Sequence, residues 1–191
     1  MDSRLGRLIL ITGLTAAGKT TVGRHLASKL PRALHIDGDA VQRFVVSGAI
    51  TMDVPPPPGA VEQLELRYAA ALLVAALYRP AGFDVIVSDN IFEDHVKSLL
   101  ASVLDDGDTD RAYLVMLNPT LDAIRRRYDT RPGGGHNHTL TPEALRQAVQ
   151  RTPRIGMWLD TSDLTADETA AHILDHLDEA TVTGDALAGL S

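Results

Sequence analysis

Short unbroken apolar runs alternate along this chain with longer stretches in which apolar residues recur at helical spacing. Leu8, Ile9, Leu10 and Ile11 read as a buried strand. Over 20–30 the apolar residues Val22, Leu26, Ala27 and Leu30 form a helical stripe that stops at Leu30-Pro31, because the residue before a proline is driven out of the helical region. A short strand is predicted over 33–36, then a helical segment over 41–46. Residues 51–59, TMDVPPPPG, contain four consecutive prolines without N–H donors, so they predict a stiff, extended surface loop. Residues 60–78 are rich in alanine and leucine around most of the helical circumference, which predicts a long helix packed on more than one side. Pro80-Ala81-Gly82 ends it. Residues 83–88, FDVIVS, lack the alternation of a half-exposed strand and predict a central parallel strand covered on both faces.

The second half repeats the scheme. A helix is expected over 91–104, an acidic turn over 105–110, a strand over 111–117 and a helix over 121–128 opened by Asn118-Pro119-Thr120. Residues 132–135 are hinge-like in composition, and Thr141-Pro142-Glu143 opens another helix. A last strand over 155–159, a turn at Asp160-Thr161-Ser162 and a closing helix over 165–177 follow, with 181–191 read as a loose tail. Strands alternating with helices predict an α/β fold with a mainly parallel, five-stranded sheet and right-handed crossovers. We expect one domain over 1–180, with a short lid over about 127–150.

Composition narrows the function classes. The chain has 191 residues, 45% hydrophobic and 23% charged, with a formal net charge of −7. A negative balance argues against nucleic acid as a bulk partner. There is no cysteine, which excludes disulfides, thiolate metal sites and cysteine nucleophiles. No apolar run approaches a membrane span, and the first strand begins within a few residues of the start, leaving no expected signal peptide. A cytoplasmic enzyme without a membrane partner is the expectation. Three lysines stand against fifteen arginines.

The chemistry concentrates after the first strand. Gly13, Gly18, Lys19 and Thr20 hold the G-x-x-x-x-G-K-[ST] spacing between a strand and a helix, the context that a phosphate-binding loop requires. The glycines let successive N–H groups turn onto phosphate oxygens. Lys19 reaches the β- and γ-phosphates as a point charge, Thr20 offers a hydroxyl to Mg²⁺, and the helix presents its positive end. The nucleotide-binding set read from this loop is Gly13, Ala16, Ala17, Gly18, Lys19, Thr20 and Thr21. Asp37 and Asp39 follow the second strand at the carboxyl edge where open α/β sheets bind ligands. One of them can accept a proton from a hydroxyl aligned with the γ-phosphate. Asp89, at the end of the central strand, occupies the position of a carboxylate that orders Mg²⁺ or its water. The metal candidates read from these positions are Thr20 and Asp89, and the acceptor set is Asp37, Asp39, Arg43 and Asp89. Arg125, Arg126, Arg127 and Arg131 form a cluster in which Arg127 and Arg131, four residues apart, can share a helix face and close over the phosphates. His136 and His138 read as exposed polar residues, and Trp158 as core.

GLTAAGKT over 13–20, DGDAV over 37–41, RYDTR over 127–131 and LDTS over 159–162 together resemble the small P-loop kinases of the chloramphenicol phosphotransferase group, whose relatives include zeta toxins, gluconate kinases and adenylylsulfate kinases. The resemblance implies a three-layer, nucleoside/nucleotide-kinase-like fold. It implies Asp39 as catalytic base with Asp37 near the metal, Lys19, Arg127 and Arg131 as further catalytic groups, and Thr161 in the turn bordering the adenine. TMDVPPPPG and GGGHNH depart from these families in the regions that would touch an acceptor. The expected activity is ATP- or GTP-dependent, Mg²⁺-dependent phosphoryl transfer to a hydroxyl of a small molecule: an antibiotic, as in self-resistance, or a sugar or nucleoside-like metabolite. Two alternatives stay open, a nucleotide-binding regulatory NTPase and a zeta-toxin-like sugar-nucleotide kinase.

Overall fold

The structure is a computed structural model that describes residues 4–53, 55–104, 111–129 and 142–189. Its strands are β1 (Leu8–Gly13), β2 (Ala33–Asp37), β3 (Asp84–Ser88), β4 (Arg111–Leu117), β5 (Met157–Leu159) and β6 (Thr181–Thr183). The helices are α1 (Lys19–Ser28), α2 (Gly38–Gln42), α3 (Ala60–Tyr78), α4 (Asp94–Leu104), α5 (Leu121–Asp129), α6 (Pro142–Arg151), α7 (Ala166–Asp175) and α8 (Gly184–Ala188). Strand order is β2-β3-β1-β4-β5, all parallel, with β6 antiparallel on β4. This is the expected α/β fold with a mainly parallel sheet, flanked by helices.

The apolar runs become strands buried from both sides. Leu8 and Leu10 pack with Tyr68, Ala71 and Leu100 from α3 and α4, while Ile9 and Ile11 pack with Val22, Leu26 and Ile173 from α1 and α7. Successive side chains of a strand point to opposite faces, so one unbroken apolar run serves two cores. The ends of β1, β2 and β3 come level because Asp37 registers with Ser88 and Ile11 with Ser88. The loop after β1, the DGD triplet after β2 and Asp89-Asn90 after β3 thus meet at one edge. Arg7 clamps the other end of β3: its side chain grips the Asp84 carboxylate at 3.0 and 2.6 Å, and its N–H adds a bond of 2.8 Å.

Several elements depart from the sequence reading. The helix expected over 41–46 instead begins at Gly38, because Asp37 caps it by accepting from the Asp39 N–H at 3.2 Å. The helix expected from 91 begins at Asp94, after Thr12 and Ile91 exchange two bonds of 2.9 Å that hold 91 in the loop. The last parallel strand shortens to Met157–Leu159. α7 starts behind a capping box in which Thr165 and Glu168 satisfy one another's N–H groups. The expectation that α3 packs on more than one side is corrected: Tyr68, Ala71 and Ala75 are buried, whereas Leu66, Leu73 and Leu77 are exposed.

The loose tail is also corrected. Residues 181–183 pair with 111–113 of β4, Val182 is fully buried, and α8 follows. β5 registers with 115–117 of β4, so the short strands β5 and β6 take successive halves of one edge. Among the described residues that arrangement adds one short antiparallel strand to the five expected parallel ones and leaves little of the β4 edge open. The expected acidic turn over 105–110 lies outside the described residues, as do Arg131, the glycine segment, His136 and His138 of the expected lid. Trp158 is half-buried beneath Arg154, whose guanidinium lies 4.9 Å from the ring.

Candidate active site

The turn from β1 to α1 has the backbone its sequence calls for. Gly13 lies at φ 149°, where a Cβ would stand 2.5 Å from the Leu117 carbonyl oxygen, so only glycine lets β1 leave the sheet this closely. Gly18 caps α1 at φ 100° without a side chain, leaving the first N–H groups of the helix facing the loop. Ala16 also takes a left-handed conformation, φ 64°, which for a residue with a Cβ costs about 1–2 kcal/mol. Such strain persists only when the surroundings impose it; here the Ala17 N–H closes on the Leu14 carbonyl at 3.0 Å. Lys19 Nζ donates to the Gly13 and Leu14 carbonyls at 2.9 and 3.0 Å, which holds the ammonium over the loop.

Opposite the loop stand the carboxylates. A cleft of about 640 Å³ is lined by Gly18, Lys19 and Thr20 on one side and by Asp37, Asp39 and Asp89 on the other. Ala16, Ala17, Thr21, Arg43, Arg127 and Thr161 line it as well. Gly13 shapes the loop from beneath rather than facing the cleft. Thr20 Oγ and Asp37 Oδ1 are 3.4 Å apart. Two hard oxygen donors this close, beside a loop of the G-x-x-x-x-G-K-[ST] pattern, fit Mg²⁺, which binds through one or two carboxylates plus phosphate oxygens and retains water. Asp39 is exposed in the first turn of α2, open to whatever enters the cleft.

Asp89 is held differently. It is only 4% exposed, and one oxygen accepts from Arg67 at 2.7 Å and from the Asn90 N–H at 2.7 Å. Burial pushes its pKa up; the Arg67 charge, the Asn90 N–H and Lys19 act against that rise. Arg67 comes from α3 and also donates to the Gln42 side chain at 2.7 Å, so one guanidinium joins α2 to the end of β3. Its Nε and the Asn90 Oδ1 are buried without a hydrogen-bond partner, a condition that ligand or water usually relieves. Gly38 completes the junction: a Cβ there would lie 2.0 Å from the Asp89 carboxylate.

Arg127 occupies the far side of the loop. Its guanidinium donates to the carbonyls of Ala17, Thr161 and Leu164 and to the Thr161 hydroxyl, bridging the phosphate loop and the turn before α7. Burial, then the neighbouring Arg126, pull its pKa down from the usual arginine value. Thr161 is buried in that turn, and Asp160 caps it by accepting from Ser162.

The predicted residues Lys19, Thr20, Asp37, Asp39, Arg43, Asp89, Arg127 and Thr161 thus share one cleft. The sequence reading passed over Arg67, Gln42, Asn90 and Arg24, the last lining the cleft from α1. A signal for Arg67 was present. It is the last charged residue in a helix that runs apolar from 68 to 78, and a cation at the edge of such a run is kept when it has a buried partner. That the partner is Asp89 is set by tertiary packing.

No protein-family model matches this sequence, and no curated protein matches it. Solved structures do. A sugar kinase from Janibacter sp. HTCC2649 is similar with a TM-score of 0.65 at 17% identity, over 92% of this chain and 96% of that one. The APS kinase of Mycobacterium tuberculosis, in complex with AMPPNP and APS, gives 0.66 at 23% identity, over 92% and 99%. The tunicamycin resistance protein of Deinococcus radiodurans gives 0.63 at 18% identity, over 90% and 95%. The likeness is one of fold: this chain has the three-layer α/β architecture of P-loop kinases, with the candidate cleft at the carboxyl ends of its parallel strands.

Proposed function

We propose that the protein is a phosphotransferase that moves the γ-phosphate of ATP or GTP to a hydroxyl of a small molecule. The observation that supports this reading best is the meeting of Lys19 and Thr20 with Asp37 and Asp39 across one cleft. A phosphate loop alone suits a switch or a motor as well; an exposed carboxylate facing it suits a hydroxyl acceptor. Gly18, Lys19 and the N-terminus of α1 bind the triphosphate, while Ala17, Thr21 and Thr161 border the nucleotide. Thr20 and Asp37 would hold Mg²⁺, with Asp89 near it in the same cleft. When bound, Mg²⁺ neutralises charge on the phosphate oxygens.

Asp39 orients the acceptor hydroxyl and takes its proton. The acceptor oxygen forms a bond to the γ-phosphorus as the bond to the bridging oxygen breaks, and a nucleoside diphosphate leaves. Lys19 stabilises the charge developing on the transferred group. Arg127 clamps the nucleotide side through the carbonyls it already holds, and Arg131 is proposed to close over the transferring group. Arg43 and Arg24, which both line the cleft, offer positive charge to the acceptor. The chloramphenicol phosphotransferase group remains the proposed affinity, and an antibiotic, a sugar or a nucleoside-like metabolite the proposed acceptor. Among the described residues no helix is long and apolar enough to cross a membrane, and with a cysteine-free chain a cytoplasmic site of action, where nucleoside triphosphates are abundant, is proposed.

The test is transfer from γ-labelled ATP and GTP with Mg²⁺ to a panel of aminoglycosides, phenicols, nucleoside antibiotics, sugars and sugar nucleotides. A labelled acceptor is expected and names both donor and acceptor class. Hydrolysis stimulated by a protein partner, with no acceptor labelled, would replace the reading with a regulatory NTPase.

A further inference from the structure

Arg127 directs its terminal donors at the protein itself. A guanidinium carries two hydrogens on each terminal nitrogen and one on Nε. In Arg127, Nη1 donates to the Ala17 carbonyl at 3.2 Å and to the Thr161 hydroxyl at 3.4 Å. Nη2 donates to the Thr161 carbonyl and, at 3.3 Å, to the Leu164 carbonyl. Both terminal nitrogens are thus fully engaged with oxygens of the chain. An arginine that clasps a phosphate uses a pair of parallel N–H groups, at least one of them from a terminal nitrogen. Here those groups already hold carbonyls, and contact with a phosphate requires some of these bonds to break.

The segments that Arg127 joins lie on one side of the phosphate loop. β1 stands at the centre of the order β2-β3-β1-β4-β5. Asp37 ends β2 on one edge of the sheet, and Thr161 follows β5 on the other. Thr20 meets Asp37 at 3.4 Å, so the reacting phosphate belongs between the loop and β2, and the nucleoside extends the opposite way. There the cleft is lined by Ala17, Thr161, Leu164 and Thr165, apolar groups and hydroxyls of the kind that receive a ring and a sugar rather than a phosphate. Arg127 fixes the width of that compartment from both walls. It grips the loop at Ala17, and it grips the turn at Thr161 and Leu164, directly before the Thr165 cap of α7.

We infer that Arg127 is a positioning residue for the nucleoside: it ties the 161–164 turn to the phosphate loop, sets the affinity for the nucleoside part of the donor, and makes no bond to the transferred phosphate. The inference rests on the proposed nucleotide reading of the cleft. It separates Arg127 from Lys19, with which the family resemblance groups it among the catalytic residues. A lysine is no substitute at this position, because an ammonium is a point charge and cannot span carbonyls on two separate segments as the planar fork does.

The test is isothermal titration calorimetry on the full chain with Mg²⁺, using ATP and inorganic tripolyphosphate as probes. The two share the phosphate chain and differ in the nucleoside. Arg127→Gln is expected to weaken ATP at least about tenfold, as the loss of bonds to a charged donor implies. Tripolyphosphate is expected to change by less than about threefold, since Gly18, Lys19 and the helix N-terminus still hold it. Arg127→Lys is expected to resemble Arg127→Gln, whereas a residue acting through its charge is rescued by lysine. Thermal unfolding shows whether each variant keeps its fold. Thr161→Val, which removes only the hydroxyl acceptor, provides a milder variant with the same expected split. Equal losses for the two probes, parent-like binding by Arg127→Lys, or a parent chain that binds ATP no better than tripolyphosphate would each overturn the inference. No acceptor enters the measurement. An acceptor panel that stays unlabelled therefore tells against the phosphotransferase reading alone, and a missing split between the probes tells against the role of Arg127 alone.

Discussion

At the scale of single residues, two of the carboxylates that line the cleft are set in opposite environments. Asp39 is exposed on the first turn of α2, whereas Asp89 is buried and bonded to Arg67. A proton acceptor must reach the substrate, and of these two Asp39 is the exposed one. Asp39→Asn is expected to lower kcat about 10²–10⁴-fold, the usual worth of a general base, with nucleotide binding unchanged. Steady-state kinetics with labelled nucleotide, beside a nucleotide titration, checks both halves. Burial pushes the Asp89 pKa up, and the Arg67 guanidinium is the largest influence favouring the carboxylate's negative charge. Arg67→Met leaves that charge unpaired, and the loss is expected to be about 3–5 kcal/mol at neutral pH. The sign of the pH dependence follows. An acid whose folded pKa lies above its unfolded value loses stability as pH rises between the two. Urea unfolding of the variant is therefore expected to show the largest deficit at neutral pH and a smaller one as pH falls towards the ordinary carboxylate range. Asp39 and Asp89 are both visible in the sequence as aspartates at strand ends. Their difference is not, because it depends on an arginine from α3, 22 residues away along the chain.

At the scale of elements, the cleft is held by how short pieces abut. α2 is five residues long and has little stability of its own; its position comes from the Asp37 cap, the Gln42–Arg67 bond and close approach to Asp89 at Gly38. Gly38→Ala puts a methyl group 2.0 Å from the Asp89 carboxylate. Relief requires α2 or Asp89 to move, so the variant is expected to lose about 1–3 kcal/mol in thermal unfolding. It should also lose turnover, because Asp39 rides on the displaced helix. An unchanged kcat would detach α2 from the chemistry. The central strands and α1 and α5 follow their patterns closely, since long patterned segments outvote local exceptions. The misplaced boundaries fall at caps and side-chain bonds to the backbone, at Asp37 and at Thr12 with Ile91, where one hydrogen bond decides the start of a helix.

At the scale of the whole molecule, the C-terminal residues close the sheet. Val182 is fully buried on β6, whose pairing with β4 covers the end of the strand that β5 leaves bare. A chain ending after Ala180 is expected to lose about 2–4 kcal/mol, from the burial of one apolar side chain and a few ladder hydrogen bonds. Urea unfolding of the truncated chain measures it, and an unchanged midpoint would show that β6 adds nothing to the fold. The sequence by itself determined the parallel α/β order and the phosphate loop, and it placed the loop and three aspartates at the same edge of the sheet. Those features are local in cause: apolar runs too continuous for a half-exposed strand, glycines where side chains clash, and a lysine and threonine opening a helix. Only the tertiary structure decided that Arg67 neutralises Asp89, that Arg127 bridges the loop to the turn before α7, that 181–183 form a strand, and that α3 keeps a leucine stripe outside. Each of these depends on distant segments meeting. The energy of such contacts comes from burial and charge neutralisation in three dimensions, which spacing along the chain does not encode.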